Sequence, residues 1–577
     1  MKNMFKKHTI AKLLGIIIFV AIVLTWIIPV GGFNGVEFIK SETVKVGLSD
    51  IPTIAYNSIY YAIDKIVYLL VLGGFYAVIS KTKGYKKLVS NISQKIKGKE
   101  TIFVLAVSVI LALLTSFTTS TFAMLLFVPL LITIMLNSGM SKLTSFAATF
   151  GAILVGIIGA TYGTEILNFF AQYYNQVSPS KDVLKLTLSY RIIILVISML
   201  LYNFFLYFAV KKSLDKKSKE EIPAEFEVEE VKDKKAKVYP IAIIFGLLFV
   251  LFILGFVNWN GIFKIEAFDD FHNWLLDYTV GDKTKIFANI LGSTSTAFGR
   301  FDLFTLSTIL AIFTIFTAIL CSVKFDDLLT NFGEGALNLV KPVAGMVAVY
   351  SVFIVVYMSP IVPTVVNSIM KKDATPDINI DYKGSDVAVF NVDTDNDGKA
   401  DLNFVNTDVD KDGKCDFNCD TNKDGFPDEN IDFNGNKEID DYDKAYLAQM
   451  GGQESILDYD TDGDGIADVN IVKDKNIFKL ITAAAFTGTF QVDIGYTGYS
   501  LSQYLVNSYG AFAYTLVFMI FVGIYALLQF FIPTSILLVL GLIYTKVNYK
   551  DWMKHIWRFI LGMLCVLLII FIFIAIV

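Results

Sequence analysis

The chain has 577 residues, 54% of them hydrophobic, with 49 Phe, 28 Tyr, three His and a formal net charge of −5. Repeated apolar runs near twenty residues place it among polytopic membrane proteins, and its basic excess belongs to the loops flanking those runs, so no nucleic-acid partner is implied. No zincin, phosphate-loop or nucleophile-elbow pattern occurs, so the chain is not read as an enzyme.

The net charge hides a split: residues 373–474 hold 28 Asp/Glu against 8 Lys, a net of −20, and the remainder carries +15. Lys2, Lys6, Lys7 and Lys12 precede an apolar run to Val30 with no small-residue cleavage site. This predicts an uncleaved first span with a cytoplasmic N-terminus. A polar outer loop follows, and a second span ends near Ser80. In the Lys-rich stretch 81–99, Leu88, Ile92 and Ile96 recur every four residues. A surface helix and a solvated basic loop fit that spacing equally well.

Thr101–Leu136 is uncharged and too long for one span: 36 residues of helix would run about 54 Å against a hydrocarbon core of about 30 Å. Its polar cluster, Ser116-Phe117-Thr118-Thr119-Ser120-Thr121, predicts a break with two short arms that enter from the cytoplasm and return there at Asn137. Two ordinary spans joined by a short outer loop are the alternative. Hydroxyl-lined breaks at membrane depth are tolerated only beside protein or a wet cavity, and secondary transporters use them to hold ions and substrate. Ser141–Ala160 is the next span. It ends in a second small, hydroxyl-rich break containing Gly159, Thr161, Gly163, Thr164 and one carboxylate, Glu165. Leu184–Val210 returns inward, and the charged stretch 211–237, without an apolar face, reads as a flexible cytoplasmic linker.

In the second part, Val238–Val257 runs out, Phe301–Val323 back and Val343–Val366 out again. After an acidic insert come Ile477–Phe490, too short to span, and a broken zone, Thr487–Gly498, with Asp493. Ala511–Tyr544 is again over-long and is interrupted at Ile532-Pro533-Thr534-Ser535, where proline removes a donor and frees a carbonyl. A last span, Phe559–Val577, leaves the C-terminus outside, for about nine full spans. Each half thus holds one over-long interrupted segment and one Gly/Thr break with a single carboxylate, the pattern of an inverted repeat. The expected fold class is an all-α polytopic membrane protein: a first half (1–210), the linker (211–237), a second half (238–370 and 477–577), and an irregular extracellular insert (371–476).

The insert carries the sharper signal. Asp393, Asp395, Asp397, Gly398 and Asp401 form DxDxDGxxD. The pattern recurs at Asp408, Asp410, Asp412, Asp416, with one Asn at Asp420, Asn422, Asp424, Asp428, and again at Asp460, Asp462, Asp464, Asp468. Alternate carboxylates converge on one hard cation, and the glycine permits the sharp turn, so Ca2+ is the expected cofactor. Position 12 is Phe404, Cys419, Ile431 or Ile471, never Glu, so these copies resemble thrombospondin type-3 repeats rather than complete EF-hands. A fifth copy, Asp432, Asn434, Asn436, Asp440 and Asp443, resembles a dockerin-type loop. A disordered acidic loop is the competing reading. Cys415 and Cys419 could pair if the insert is outside; Cys321 and Cys565 read as inert thiols in apolar spans.

The run VLGGFYAVISKTKGYKKLVSNISQKIKGKE, the broken stretch with FVPLL and NSGMSK, and the ending IPTSILLVLGLIYTKVNYKDWMKHIW resemble the YfcC-like, C4-dicarboxylate-carrier branch of the ion transporter superfamily. The resemblance implies two inverted halves, each with a re-entrant hairpin and a broken helix, binding substrate between them. It places Ser116, Thr118, Thr119, Ser120 and Thr121 at the first hairpin tip, Gly159, Thr161, Gly163 and Thr164 at the first helix break, and Pro533, Thr534 and Ser535 at the second. Where the branch carries a Gly-Met-x-Glu-Glu signature, the two glutamate positions hold Phe122 and Ala123. The branch's second hairpin tip is not recognisable.

Backbone carbonyls and hydroxyls at such breaks can ligate Na+, and half-helix N-termini suit a carboxylate substrate. Glu165 and Asp493 are either intramembrane proton or cation sites or solvated groups at the outer interface. The expectation is a secondary carrier for a small organic anion (a dicarboxylate) or an amino acid, coupled to Na+ or H+. Its expected partners are the lipid bilayer of the cell membrane, the substrate and, as a homodimer, a second copy. The alternative is a calcium-dependent surface module on a degenerate transporter scaffold.

Overall fold

The computed structural model describes residues 9–576 except 35–36, 42–44, 164, 180, 216–220, 230–236, 281–283, 293 and 492. Between 371 and 476 it describes only backbone, that of 371–374 and of six strands. The side chains of Thr9, Glu37, Glu165, Ile166, Asp215 and 507–513 also lie outside the description.

Helix α1 (Thr9–Ile27) leads into an antiparallel pair, β1 (Gly31–Asn34) and β2 (Glu37–Lys40). Helices α2 (Ile51–Tyr61) and α3 (Ile63–Ser80) meet at Ala62. Next comes α4 (Lys83–Lys95), whose N-terminal Thr82 side chain accepts from the Tyr85 amide. Leu88, Ile92 and Ile96 pack against the core, which decides for the surface helix over a solvated loop. Helix α5 (Glu100–Phe117) ends at the hydroxyl cluster. The chain continues through a 3-10 turn, Phe122–Leu126, into α6 (Val128–Asn137). Ser93 on α4 donates to Ile134 O near the end of α6 (3.4 Å), while α4 itself leads into α5. Both arms of the hairpin therefore start and finish on one face.

Helix α7 (Lys142–Ile158) contains a π-turn at Ala147–Gly151. It is followed by α8 (Glu165–Val177), α9 (Val183–Leu186) and α10 (Leu188–Asp215). The second part begins with α11 (Tyr239–Phe256) and the short α12 (Trp259–Phe263), α13 (Ala267–Asp277) and α14 (Ile286–Leu291). Then come α15 (Leu303–Leu320), α16 (Phe325–Met358) and α17 (Val362–Ala374). After the insert follow α18 (Ile477–Phe490), α19 (Ile494–Leu528), α20 (Ile536–Tyr544) and α21 (Tyr549–Ile576). In the insert, β3 (Ile378–Ile380) pairs with β8 (Val469–Ile471), while β4 (Val387–Val392), β5 (Leu402–Thr407), β6 (Asp416–Asp420) and β7 (Glu429–Asn430) form an antiparallel meander. These strands are the part of the insert beyond residue 374 that is described.

Among the described residues, eight helices (α1, α3, α5, α10, α11, α15, α16 and α21) are long and apolar enough to cross a membrane. Leu200, Phe204 and Phe208 on α10 and Ile569, Ile572 and Phe573 on α21 are exposed, as lipid-facing surfaces require. The protein is an all-α, multi-pass membrane protein. Inside, α16 lies on α3 with Gly73 and Gly335 back to back; a Cβ on either would strike the other's carbonyl.

Three expectations are corrected. Helix α16 runs unbroken through Pro342 rather than starting at Val343, since membrane helices tolerate proline where neighbours enclose it. The broken zone Thr487–Gly498 shrinks to three residues, because Asp493 caps a new helix at once by accepting from the Gly495 amide (2.8 Å). The linker is not free of apolar anchors. Phe226 is 2% exposed and packs on Tyr544, its carbonyl accepts from Asn137 (2.8 Å), and Glu229–Lys86 and Glu225–Lys546 pair at 2.8 Å each. Residues 221–229 thus form a strap clamped across the Lys-rich face.

Candidate functional site

In the first half, α5 stops at Phe117 and Thr118 turns extended. Thr119 ties the tip to the end of α11: its amide donates to Phe256 O at 2.8 Å and its hydroxyl at 3.3 Å. Ser116 O faces the interruption between α7 and α8 and accepts from both the Thr161 amide (2.7 Å) and the Thr161 hydroxyl (3.1 Å). Gly159 packs against the Leu195 backbone, where no side chain fits, and Gly163 takes a φ of +153° that favours glycine. Thr121 is buried beside them. The Thr118 and Ser120 hydroxyls are buried without a hydrogen-bond partner among the described residues, a costly state that a ligand would relieve. Thr164 and the Glu165 side chain lie outside the described residues.

In the second half, α18 stops at Phe490. Gln491 is buried, and its Oε1 accepts from the Thr497 hydroxyl (2.8 Å). Asp493 accepts from Tyr61 on α2 (2.8 Å) as well as from Gly495. It is half-buried and acts as a helix cap. Past α19, Pro533 opens the next interruption. There the Thr534 hydroxyl donates to Thr489 O (2.9 Å), and Ser535 caps α20 by accepting from the Leu538 amide (3.4 Å).

The two halves repeat one device: a threonine in a helix interruption binds a hairpin-tip carbonyl 45 residues earlier. This differs from the pairing of segments by length and carboxylate, and agrees with the resemblance in setting Pro533–Ser535 opposite the Gly159–Thr164 break. The partner of tip Ser116–Thr121 is Thr487–Asp493, and the partner of the Gly159–Glu165 break is Pro533–Ser535. Length misled there, because α19 fuses one hairpin arm and one half of a broken helix. The helices on both sides of the two breaks pack on one another. Phe170 on α8 stacks on Phe518 of α19 (5.3 Å), and on the other side of the breaks Gly541 of α20 packs against Phe146 and Phe150 of α7.

The halves differ in how they satisfy freed carbonyls. At the first interruption Arg191, 2% exposed on α10, donates to Ala160 O (3.0 Å), Thr161 O, Leu184 O and the Thr187 hydroxyl (3.2 Å). At the second, neutral donors from α21 serve: Trp552 reaches Phe530 O (2.7 Å) and Tyr549 reaches Phe531 O. Arg191 was not singled out in the sequence, nor was Lys65 on α3, which lies beside the first tip with its ammonium 5.7 Å from the Phe122 ring centre. A charge inside an apolar run was the available signal for both. Between the halves, a small apolar cavity is lined by Leu69, Leu72, Leu125, Phe150, Leu540 and Tyr544, among others.

No group of three or more His, Cys, Asp or Glu positioned for a metal occurs among the described residues. The expected calcium ligands from Asp393 to Asp468 lie outside them, except for the backbones of Asp416 and Asp420 at the ends of β6.

No curated protein matches the chain. A solved structure, the YdaH transporter of Alcanivorax borkumensis, is similar over 98% of each chain at 10% identity, with a TM-score of 0.35. Residues 8–372, well over half of the sequence, match the family described as DcuC, C4-dicarboxylate anaerobic carrier. The chain belongs to the C4-dicarboxylate anaerobic carrier family, a family of carriers and not of enzymes.

Proposed function

We propose that this protein is a secondary carrier of C4-dicarboxylates, coupled to Na+ or H+ at its helix interruptions. The observation that carries the reading is the repeated tip-to-break hydrogen bond, Thr161 to Ser116 and Thr534 to Thr489, with the unpartnered Thr118 and Ser120 hydroxyls beside the first. Carbonyls and hydroxyls there supply ligands for a cation without a full charge in the bilayer, and the N-termini of α8 and α20 favour substrate carboxylates. The second interruption, capped by neutral groups, suits a cation better than the first, which carries the Arg191 guanidinium. The Asp-rich insert would bind Ca2+ outside the membrane, through ligands recognised in sequence alone.

The test is succinate uptake into proteoliposomes under imposed Na+ or H+ gradients, with Thr118, Thr119, Thr534 and Ser535 replaced together. Gradient-driven uptake that the replacement abolishes supports the carrier. Unaltered uptake would remove these residues from the site, and no uptake by the unaltered protein would remove the function.

A further inference from the structure

The geometry points to Lys65 as the anchor for one carboxylate of the transported dicarboxylate, with Asp64 as a resident stand-in that the substrate displaces. This rests on the carrier reading above and names the group that would recognise the anion.

Lys65 lies in the first turn of α3, and its side chain is 14% exposed. Leu69, Leu72, Gly73 and Tyr76 follow at i+4, i+7, i+8 and i+11, on the same face of the helix, and all four line the cavity between the halves. Lys65 therefore stands one turn beyond the end of that lining. The opposite wall agrees: the ammonium lies 5.7 Å from the Phe122 ring centre, and Leu125, three residues on, also lines the cavity. Phe122 directly follows the tip that holds the unpartnered Thr118 and Ser120 hydroxyls. Lys65 thus stands one turn beyond an otherwise apolar cavity, and the ring beside its ammonium, Phe122, directly follows the tip with the two unpartnered hydroxyls.

Asp64 is the ion-pair partner of Lys65 among the described residues, at 3.0 Å. Adjacent helix positions do not face one another, so Lys65 must curl back to reach it. Such a pair keeps an ammonium neutralised at the end of a membrane-crossing helix, yet yields to a carboxylate that approaches from the cavity in better line. The other basic group close to a break, Arg191, is already committed to four oxygens.

The reconstituted full-length protein tests this through the KM for succinate. Lys65→Gln should raise KM at least tenfold, Lys65→Arg should restore most of the loss, and Asp64→Asn should lower KM, since the competing carboxylate is gone. A purely structural ion pair would instead make Lys65→Gln and Asp64→Asn harmful alike. Equal damage, or no change of KM in either, overturns the anchor while leaving dicarboxylate transport intact. If Lys65→Gln does not assemble, the sign of the Asp64→Asn effect still decides. Absence of succinate uptake by the unaltered protein would overturn the carrier reading, and the anchor with it.

Discussion

Thr161 and Thr534 hold the same post in the two halves of the protein: each sits in a helix interruption and donates its hydroxyl to the carbonyl 45 residues before it, Ser116 and Thr489 respectively. Their bonds are not equally replaceable. Ser116 O also accepts from the Thr161 amide, whereas Thr534 reaches Thr489 O through its side chain. Thr534→Val should therefore destabilise the protein by about 1–3 kcal/mol, and Thr161→Val by less than about 1 kcal/mol. Thermal unfolding in detergent would show the order. Equal shifts would mean that the hydroxyls do not carry the tip-to-break contact.

Arg191 should tolerate no neutral replacement. Arg191→Met strands the carbonyls of Ala160, Thr161 and Leu184 together, which should cost more than about 3 kcal/mol. Lysine reaches fewer acceptors than the guanidinium fork, so Arg191→Lys should recover only part of that loss. Yield of folded protein by size-exclusion chromatography, followed by unfolding temperature, checks both.

The strap should respond to acid and to salt. Its Glu229 carboxyl is held below the usual carboxylate range by a hydrogen bond and charge from Lys86. A carboxyl whose affinity for protons is lowered by docking favours docking above the ordinary value, near 4.3, and loses that contribution as pH falls through the lowered one. The strap should thus stay seated at neutral pH and loosen only in strong acid. Raised salt should loosen it at any pH, since the Glu229 carboxylate is largely exposed. Phe226→Ala should release it outright, as truncating a buried Phe costs about 3–5 kcal/mol. Hydrogen exchange over 221–229, corrected for intrinsic rates, would register each effect.

Ca2+ removal should act on one part of the molecule only. Chelation from the full-length protein should raise protease cleavage within 371–476 and leave the unfolding temperature of the membrane part unchanged. Cleavage indifferent to chelator would discount the calcium ligands read from Asp393 to Asp468.

Interruptions were legible in the sequence where glycine, proline and hydroxyls clustered in an apolar run, as at Ser116–Thr121 and Pro533–Ser535, whereas Pro342 alone leaves α16 unbroken. Their partnership was not, because a hydrogen bond between residues 45 apart leaves no periodic trace. The role of Arg191 is not legible in the sequence, since its acceptors, Ala160 and Thr161, arrive only on folding. Lys65 stands next to Asp64 in the sequence, so its charge is offset locally and its neighbour Phe122 shows only on folding. In the linker, net composition concealed Phe226, one aromatic among many charges, and one buried ring was enough to dock the segment.

The strap joins the two halves covalently, yet its ring rests on Tyr544, a wall of the inter-half cavity. The connector between the halves is therefore also a brace: its buried ring backs one wall of that cavity, so a segment outside the membrane-crossing helices helps to hold the wall in place.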